Sequence, residues 1–123
     1  MIDGEYKYDL HFQRKLLTLL VRKPEKVLDL IEPQYFGSAI HVEVARVVGE
    51  AYKKHGTKNL RLTRSSLVEL VRNARTNDDD EVWRSYKSEI KKIFKVGLPD
   101  VSILVEHAKE FAKEQRFRDA LIH

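Results

Sequence analysis

An all-α fold of about six helices, a compact bundle ending in an antiparallel helical hairpin, is what this sequence predicts, and three observations predict it. Apolar residues recur at helical spacing nearly throughout the chain. Only three prolines and five glycines occur, and most stand where helices should begin or end. Residues suited to capping a helix start precede the apolar stripes. The chain has 123 residues, a normal length for one domain. It contains no cysteine, which excludes a disulfide scaffold, a zinc ribbon and a thiol nucleophile.

The first helix is expected from about Asp9 to Arg22, with Asp9 as its cap and Phe12, Leu16, Leu17, Leu19 and Leu20 on its apolar side. Pro24 suits the opening of a short second helix to Ile31, and Pro33 stops it. Tyr35-Phe36-Gly37 make a linker. Ser38 caps a third helix that ends at Gly56, with Ile40, Val44, Val47, Val48 and Ala51 as its stripe. Ile40, Val42 and Val44 also alternate as a strand would, but the helical stripe continues for four turns.

A basic loop over 57–62 leads to a fourth helix starting at Thr63 or Arg64, with Leu67, Leu70, Val71 and Ala74 on one face. The fifth begins with Asp78, Asp79, Asp80 and Glu81 and ends with Lys91, Lys92 and Lys95, an order that complements the helix dipole. Gly97 ends it. Asp100 caps the sixth, which carries Val101, Leu104, Val105, Ala108, Phe111 and Ala112 and still reads as helix at Ala120-Leu121-Ile122-His123. The short connection between the last two helices predicts an antiparallel pair. The chain reads as a single helical domain, 1–123, with a globular part, about 9–76, and a helical hairpin, about 78–123. The absence of a stop signal at the end suggests a fragment of a longer protein.

Composition narrows the function classes. The polar start Met1-Ile-Asp-Gly-Glu-Tyr is unlike a signal peptide. The longest apolar run, near Leu16 to Val21, falls far short of the roughly 20 residues that span a bilayer. A soluble, cytoplasmic chain without a membrane partner is expected. Net charge is +4, with 23 basic against 19 acidic residues, an excess that permits contact with nucleic acid.

Catalytic patterns are not found. No G-x-x-x-x-G-K-[ST] loop occurs. His11, His41, His55, His107 and His123 show no metal-ligand spacing and read as surface or packing residues. Asn77-Asp78-Asp79-Asp80-Glu81 lacks the alternating ligands and central glycine of a calcium loop and reads as a helix start. Ser65-Ser66 has no base or elbow glycines and reads as a helix first turn. No catalytic residue, metal ligand or cofactor is therefore expected. Lys58, Arg61 and Arg64, in the loop and at the start of the fourth helix, are the candidates for nucleic-acid contact. With Arg72 and Arg75 they give a loose likeness to a helix-turn-helix, although the loop from His55 to Leu62 is long for one.

Four segments carry a resemblance to a known family. They are Phe12-Gln-Arg-Lys-Leu-Leu-Thr-Leu-Leu; Tyr35-Phe36 followed by His41 and Val44; Gly56 through Leu67; and Phe111-Ala-Lys-Glu-Gln-Arg-Phe-Arg-Asp-Ala-Leu121. In order and spacing the chain resembles the N-terminal domain of DnaB-type replicative DNA helicases. It departs from that pattern at Phe12 or Gln13, where the family opens on glutamate, and at Asn59-Leu-Arg-Leu62, where an aspartate is usual. These departures suggest a divergent, phage-like or mobile-element member. The C-terminal domain of bacterial primase has a similar helical build, and a small adaptor or DNA-binding domain is a further alternative.

The resemblance implies a non-catalytic domain that assembles into a ring collar through its hairpin and docks primase or a helicase loader. It also implies a RecA-like ATPase after it. The apolar positions of the hairpin, Trp83, Tyr86, Ile90 and Phe94 on one arm and Leu104, Ala108 and Phe111 on the other, are the candidates for the interface between copies. The reading frame beyond His123 is accordingly expected to encode a phosphate-binding loop on a strand–loop–helix. A frame that closes within a few codons would favour the adaptor or DNA-binding alternatives.

Overall fold

The computed structural model describes residues 8–98 and 100–122. The opening segment 1–7, Pro99 and His123, all read above, lie outside the described residues. Among the described residues six α-helices follow one another: α1 Leu10–Arg22, α2 Pro24–Val27, α3 Ala39–His55, α4 Arg64–Ala74, α5 Asp80–Lys95 and α6 Val101–Ile122. A 3₁₀ turn, Pro33–Tyr35, stands between α2 and α3. No strand is present among the described residues.

The helix starts follow the capping chemistry in the sequence. Asp9 accepts a hydrogen bond from the Phe12 backbone N–H, Ser38 from His41, and Asp79 from Val82. Each satisfies a donor that the first turn of a helix leaves without an intrahelical partner. At α4, Thr63 and Ser66 cap each other reciprocally, with Ser66 Oγ accepting from the Thr63 N–H at 2.8 Å. Ser66 is thus a capping residue. Asp100 accepts from the N–H groups of Ser102 and Ile103 to open α6. Gly56 ends α3 at a φ of 86°, a conformation that side chains other than glycine rarely adopt.

The second helix is shorter than its expected span to Ile31. Its regular hydrogen bonding gives way after Val27 to turn bonds from Leu30 and Ile31 to the Val27 carbonyl. Pro33 opens the 3₁₀ turn, which folds the Tyr35-Phe36 segment into the core; both rings are buried.

Helix α1 organises the rest. Leu16, Leu17, Thr18, Leu19, Leu20 and Val21 are all buried, so the helix is covered on every side in its second half. A one-sided stripe was expected; an all-round apolar helix is the pattern of a central element. Helices α2, α3, α5 and α6 all pack on it, and α4 is carried on α3 and α5. One core joins residues of every described helix: Ile90, Ile93, Leu104 and Phe111 belong to the same cluster as Leu17 and Val44.

The last two helices are joined by the short connection 96–100, as expected. Their close packing is directed elsewhere: α5 against α4 and α1, and α6 against α1 and α2, with little direct approach of the two backbones. Phe111 anchors α6. Its ring lies 5.4 Å from Tyr8, 5.7 Å from Phe12, and 6.4 Å from both Tyr35 and Phe36, mostly edge to face. Such geometry adds to area burial through the ring quadrupoles. Phe111→Ala is expected to lower the unfolding free energy by about 3–5 kcal/mol. Urea denaturation followed by circular dichroism measures this, and a loss under about 1 kcal/mol would refute the anchoring role.

Candidate functional site

Glu89, on α5, is a half-buried carboxylate at which three helices meet. Arg14, on α1, donates to both of its carboxylate oxygens, Nε to Oε2 at 2.7 Å and Nη2 to Oε1 at 3.1 Å. His41, on α3, meets the same Oε2 through Nε2 at 2.7 Å. His41 is 1% exposed and packs edge-on against Phe36, and its Nδ1 has no hydrogen-bond partner. Burial pushes the Glu89 carboxyl up, but the hydrogen bonds and charge of its partners more than offset this and hold it below the ordinary glutamate value. The group is therefore a structural carboxylate that joins three helices.

The same edge of α1 continues onto α5. Thr18 Oγ lies 2.8 Å from the Ile93 carbonyl and 2.9 Å from the Arg14 carbonyl, and Arg22 Nη2 donates to the Phe94 carbonyl at 2.8 Å. Positions 14, 18 and 22 thus meet 89, 93 and 94 in rising order, so α1 and α5 run in the same direction. Two of these contacts satisfy carbonyls at the end of α5 that its own backbone leaves without partners.

A second polar cluster closes the α4–α5 connection. Arg75 pairs with Asp78 and donates to Glu43 on α3 at 3.2 Å, while its guanidinium lies 4.8 Å from the Tyr86 ring centroid. Arg46 donates to Glu43 at 2.6 Å and to Glu50 at 2.9 Å. The Arg46 hydrogen bond, above all, holds the Glu43 carboxyl below its ordinary value. The acidic run from Asp78 to Glu81 is thereby accounted for: Asp78 pairs with Arg75, Asp79 caps α5, and Asp80 and Glu81 occupy its first turn. No group of three potential metal-ligating side chains occurs among the described residues.

The expected interface positions are largely internal. Trp83, Tyr86, Ile90, Leu104, Ala108 and Phe111 are buried in the core, and Phe94 is half-buried against it. Trp83 is further covered by the Arg72 guanidinium, 4.9 Å from its ring centroid. In this chain that helical spacing serves the core. The apolar side chains left outside on these helices are Val82, Ile103, Phe117 and Leu121; Phe117 is 65% and Leu121 71% exposed. Residues 113–121 supply no buried side chain to the fold.

The basic candidates divide. Lys58 is exposed in the loop after α3. Arg61 lines a groove with His55, Ser66, Glu69 and Asn73 on one side of α4. Arg64 lines a different one, between α4 and α5, with Ser65, Val68, Lys87, Ser88 and Lys91. Lys87 and Lys91 were missed as contact candidates because the lysines at the end of α5 read as partners of the helix dipole. The legible signal was their spacing from Arg84 and Lys95, which forms a stripe at i, i+3, i+7 and i+11. No helix of the described residues is long and apolar enough to cross a membrane.

Removing the Glu89 charge tests the buried cluster. Glu89→Gln is expected to lower stability by about 2 kcal/mol at neutral pH. The folded carboxyl lies below its unfolded value of about 4.3, so its contribution is complete above that value and is lost as pH falls through the folded one. The gap in thermal midpoint between wild type and Glu89→Gln should therefore hold from neutral pH to about pH 5 and narrow from there toward about pH 3. A gap that stays constant over that range would show that the carboxylate charge does not matter. Compared with known proteins, this chain matches no family model, no curated protein and no solved structure.

Proposed function

We infer that this chain is a non-catalytic assembly and docking domain of a replicative DNA helicase, acting in cytoplasmic DNA replication, and that it associates with a second copy through the outer half of α6. The observation that carries the association is the imbalance along that helix. Its core residues are Leu104, Ala108, Phe111 and Ala112, yet the helix continues to Ile122. A helical stretch of about ten residues is marginal in water without packing. Phe117 and Leu121 are one turn apart on the same face of it.

Charge permits a copy of the same helix as the occupant. Lys113, Glu114, Arg116, Arg118 and Asp119 mix signs along the segment, and Glu114 faces Arg118 at 3.9 Å. Two such helices can pair without like-charge repulsion across the whole contact. The four sequence segments supply the helicase part of the reading. In it, the domain positions partners such as primase or a loader, and a separate motor hydrolyses ATP.

Sedimentation velocity checks the association. The chain is expected to form species larger than a monomer as concentration rises, and Phe117→Ser with Leu121→Ser to return it to a monomer with unchanged helix content. A wild-type chain that stays monomeric at high concentration would overturn the assembly reading.

A further inference from the structure

We propose that the groove between α4 and α5 is a binding site for the phosphate backbone of double-stranded nucleic acid, read without regard to base sequence. The groove has a volume of ≈ 590 Å³ and is lined by Arg64, Ser65 and Val68 from α4 and Lys87, Ser88 and Lys91 from α5. Three cations and two hydroxyls face it, and no carboxylate does. All three cations are exposed, and none forms an ion pair among the described residues.

The distribution of acids along α5 sharpens the argument. Between Arg84 and Lys95 the sequence contains one acid, Glu89. That carboxylate is turned inward onto Arg14 and His41. The outer face is left with Arg84, Lys87, Lys91 and Lys95 in one stripe. Helix α6 is the contrast: Glu106, Lys109, Glu110, Lys113 and Glu114 alternate in sign. Neither Lys87 nor Lys91 has an acid one turn away along α5, and Arg64 has none one turn ahead along α4.

The chemistry suits a phosphodiester chain. Lysine, arginine and serine side chains are the usual donors to phosphate oxygens. The groove also lies at the start of α4, the positive end of its dipole. The α5 cations recur roughly every 6 Å, the rise of four residues, which spreads them along a strand instead of gathering them on one ion. No exposed aromatic ring lines the groove to stack an unpaired base, since Trp83 is buried under Arg72. Backbone contact to a duplex is the mode that remains. The site shares no residue with the α6 surface and does not depend on self-association.

Fluorescence anisotropy with a short labelled DNA duplex, titrated with salt, tests the site. Wild type is expected to bind at low ionic strength with a log K against log salt slope of about −3. Lys87→Gln with Lys91→Gln should reduce that slope by about two, with circular dichroism unchanged because both side chains are exposed. Lys23→Gln with Lys26→Gln, the same charge change at α2, should leave it nearly intact. Three results would overturn the proposal: no duplex binding at low salt, equal loss from both pairs of substitutions, or binding to vesicles of anionic phospholipid without binding to the duplex.

Discussion

A half-buried carboxylate shared by three helices is the constraint on which the arrangement depends. Glu89 brings α5 to Arg14 of α1 and to His41 of α3. Taking such a group partly out of water is costly unless its oxygens meet donors, and here Arg14 donates to both while His41 Nε2 lies 2.7 Å from one. The requirement is geometric as well as energetic. A guanidinium binding both oxygens fixes the carboxylate plane, so the rotation of α5 about its own axis is set. With Glu89 turned inward, Ile90 and Ile93 enter the core and Lys87 and Lys91 are left outside.

The translation of α5 along α1 is set by the next contacts. Thr18 and Arg22 meet the carbonyls of Ile93 and Phe94. A slip by one turn would strand those carbonyls and break the Glu89 pair together. Gln13 performs a comparable task at the other end of α1. Its amide nitrogen donates to the Tyr8 carbonyl at 2.9 Å, and its oxygen accepts from the Gly37 N–H at 2.8 Å. Tyr52 adds a hydroxyl hydrogen bond to the Val21 carbonyl, tying α3 to α1. Helix α1 is therefore apolar in content but positioned by a few polar side chains, each bonded to a distant part of the chain.

Much of the fold was legible because its signals are local. Asp9, Ser38, Thr63, Asp79 and Asp100 stand at helix starts, and a short polar side chain just before an apolar stripe is visible without any tertiary knowledge. The central place of α1 was partly legible in its dense run of leucines. Less legible was the partner of each apolar stripe. Tyr86, Leu104 and Phe111 have the same spacing whether they face their own core or another copy, and only the packing on α1 and on the Tyr35-Phe36 segment decides. Glu89 was not distinguishable in sequence from a surface glutamate, because its partners lie 75 and 48 residues away. The basic groove was half-read for the same reason: Arg64 stood out beside a loop, but Lys87 and Lys91 gain their meaning from facing it.

The order in which α1 finds its neighbours has a kinetic consequence. Its apolar surface is made before the elements that cover it, and two of these, α5 and α6, follow only after α2, α3 and α4. The contacts that close it span 75 residues for Arg14 to Glu89 and 102 for Tyr8 to Glu110. Long-range closure of this kind slows folding relative to helical proteins built from neighbouring pairs. A nascent chain carrying α1 to α4 alone would hold Leu16, Leu17 and Leu20 against an incomplete shell, a state prone to sticking to other chains. The stretch from α5 to Ala112 is thus what turns a half-covered intermediate into a finished domain, and loss of Leu104, Ala108 or Phe111 should be felt in the yield of folded protein before it is felt in any interaction.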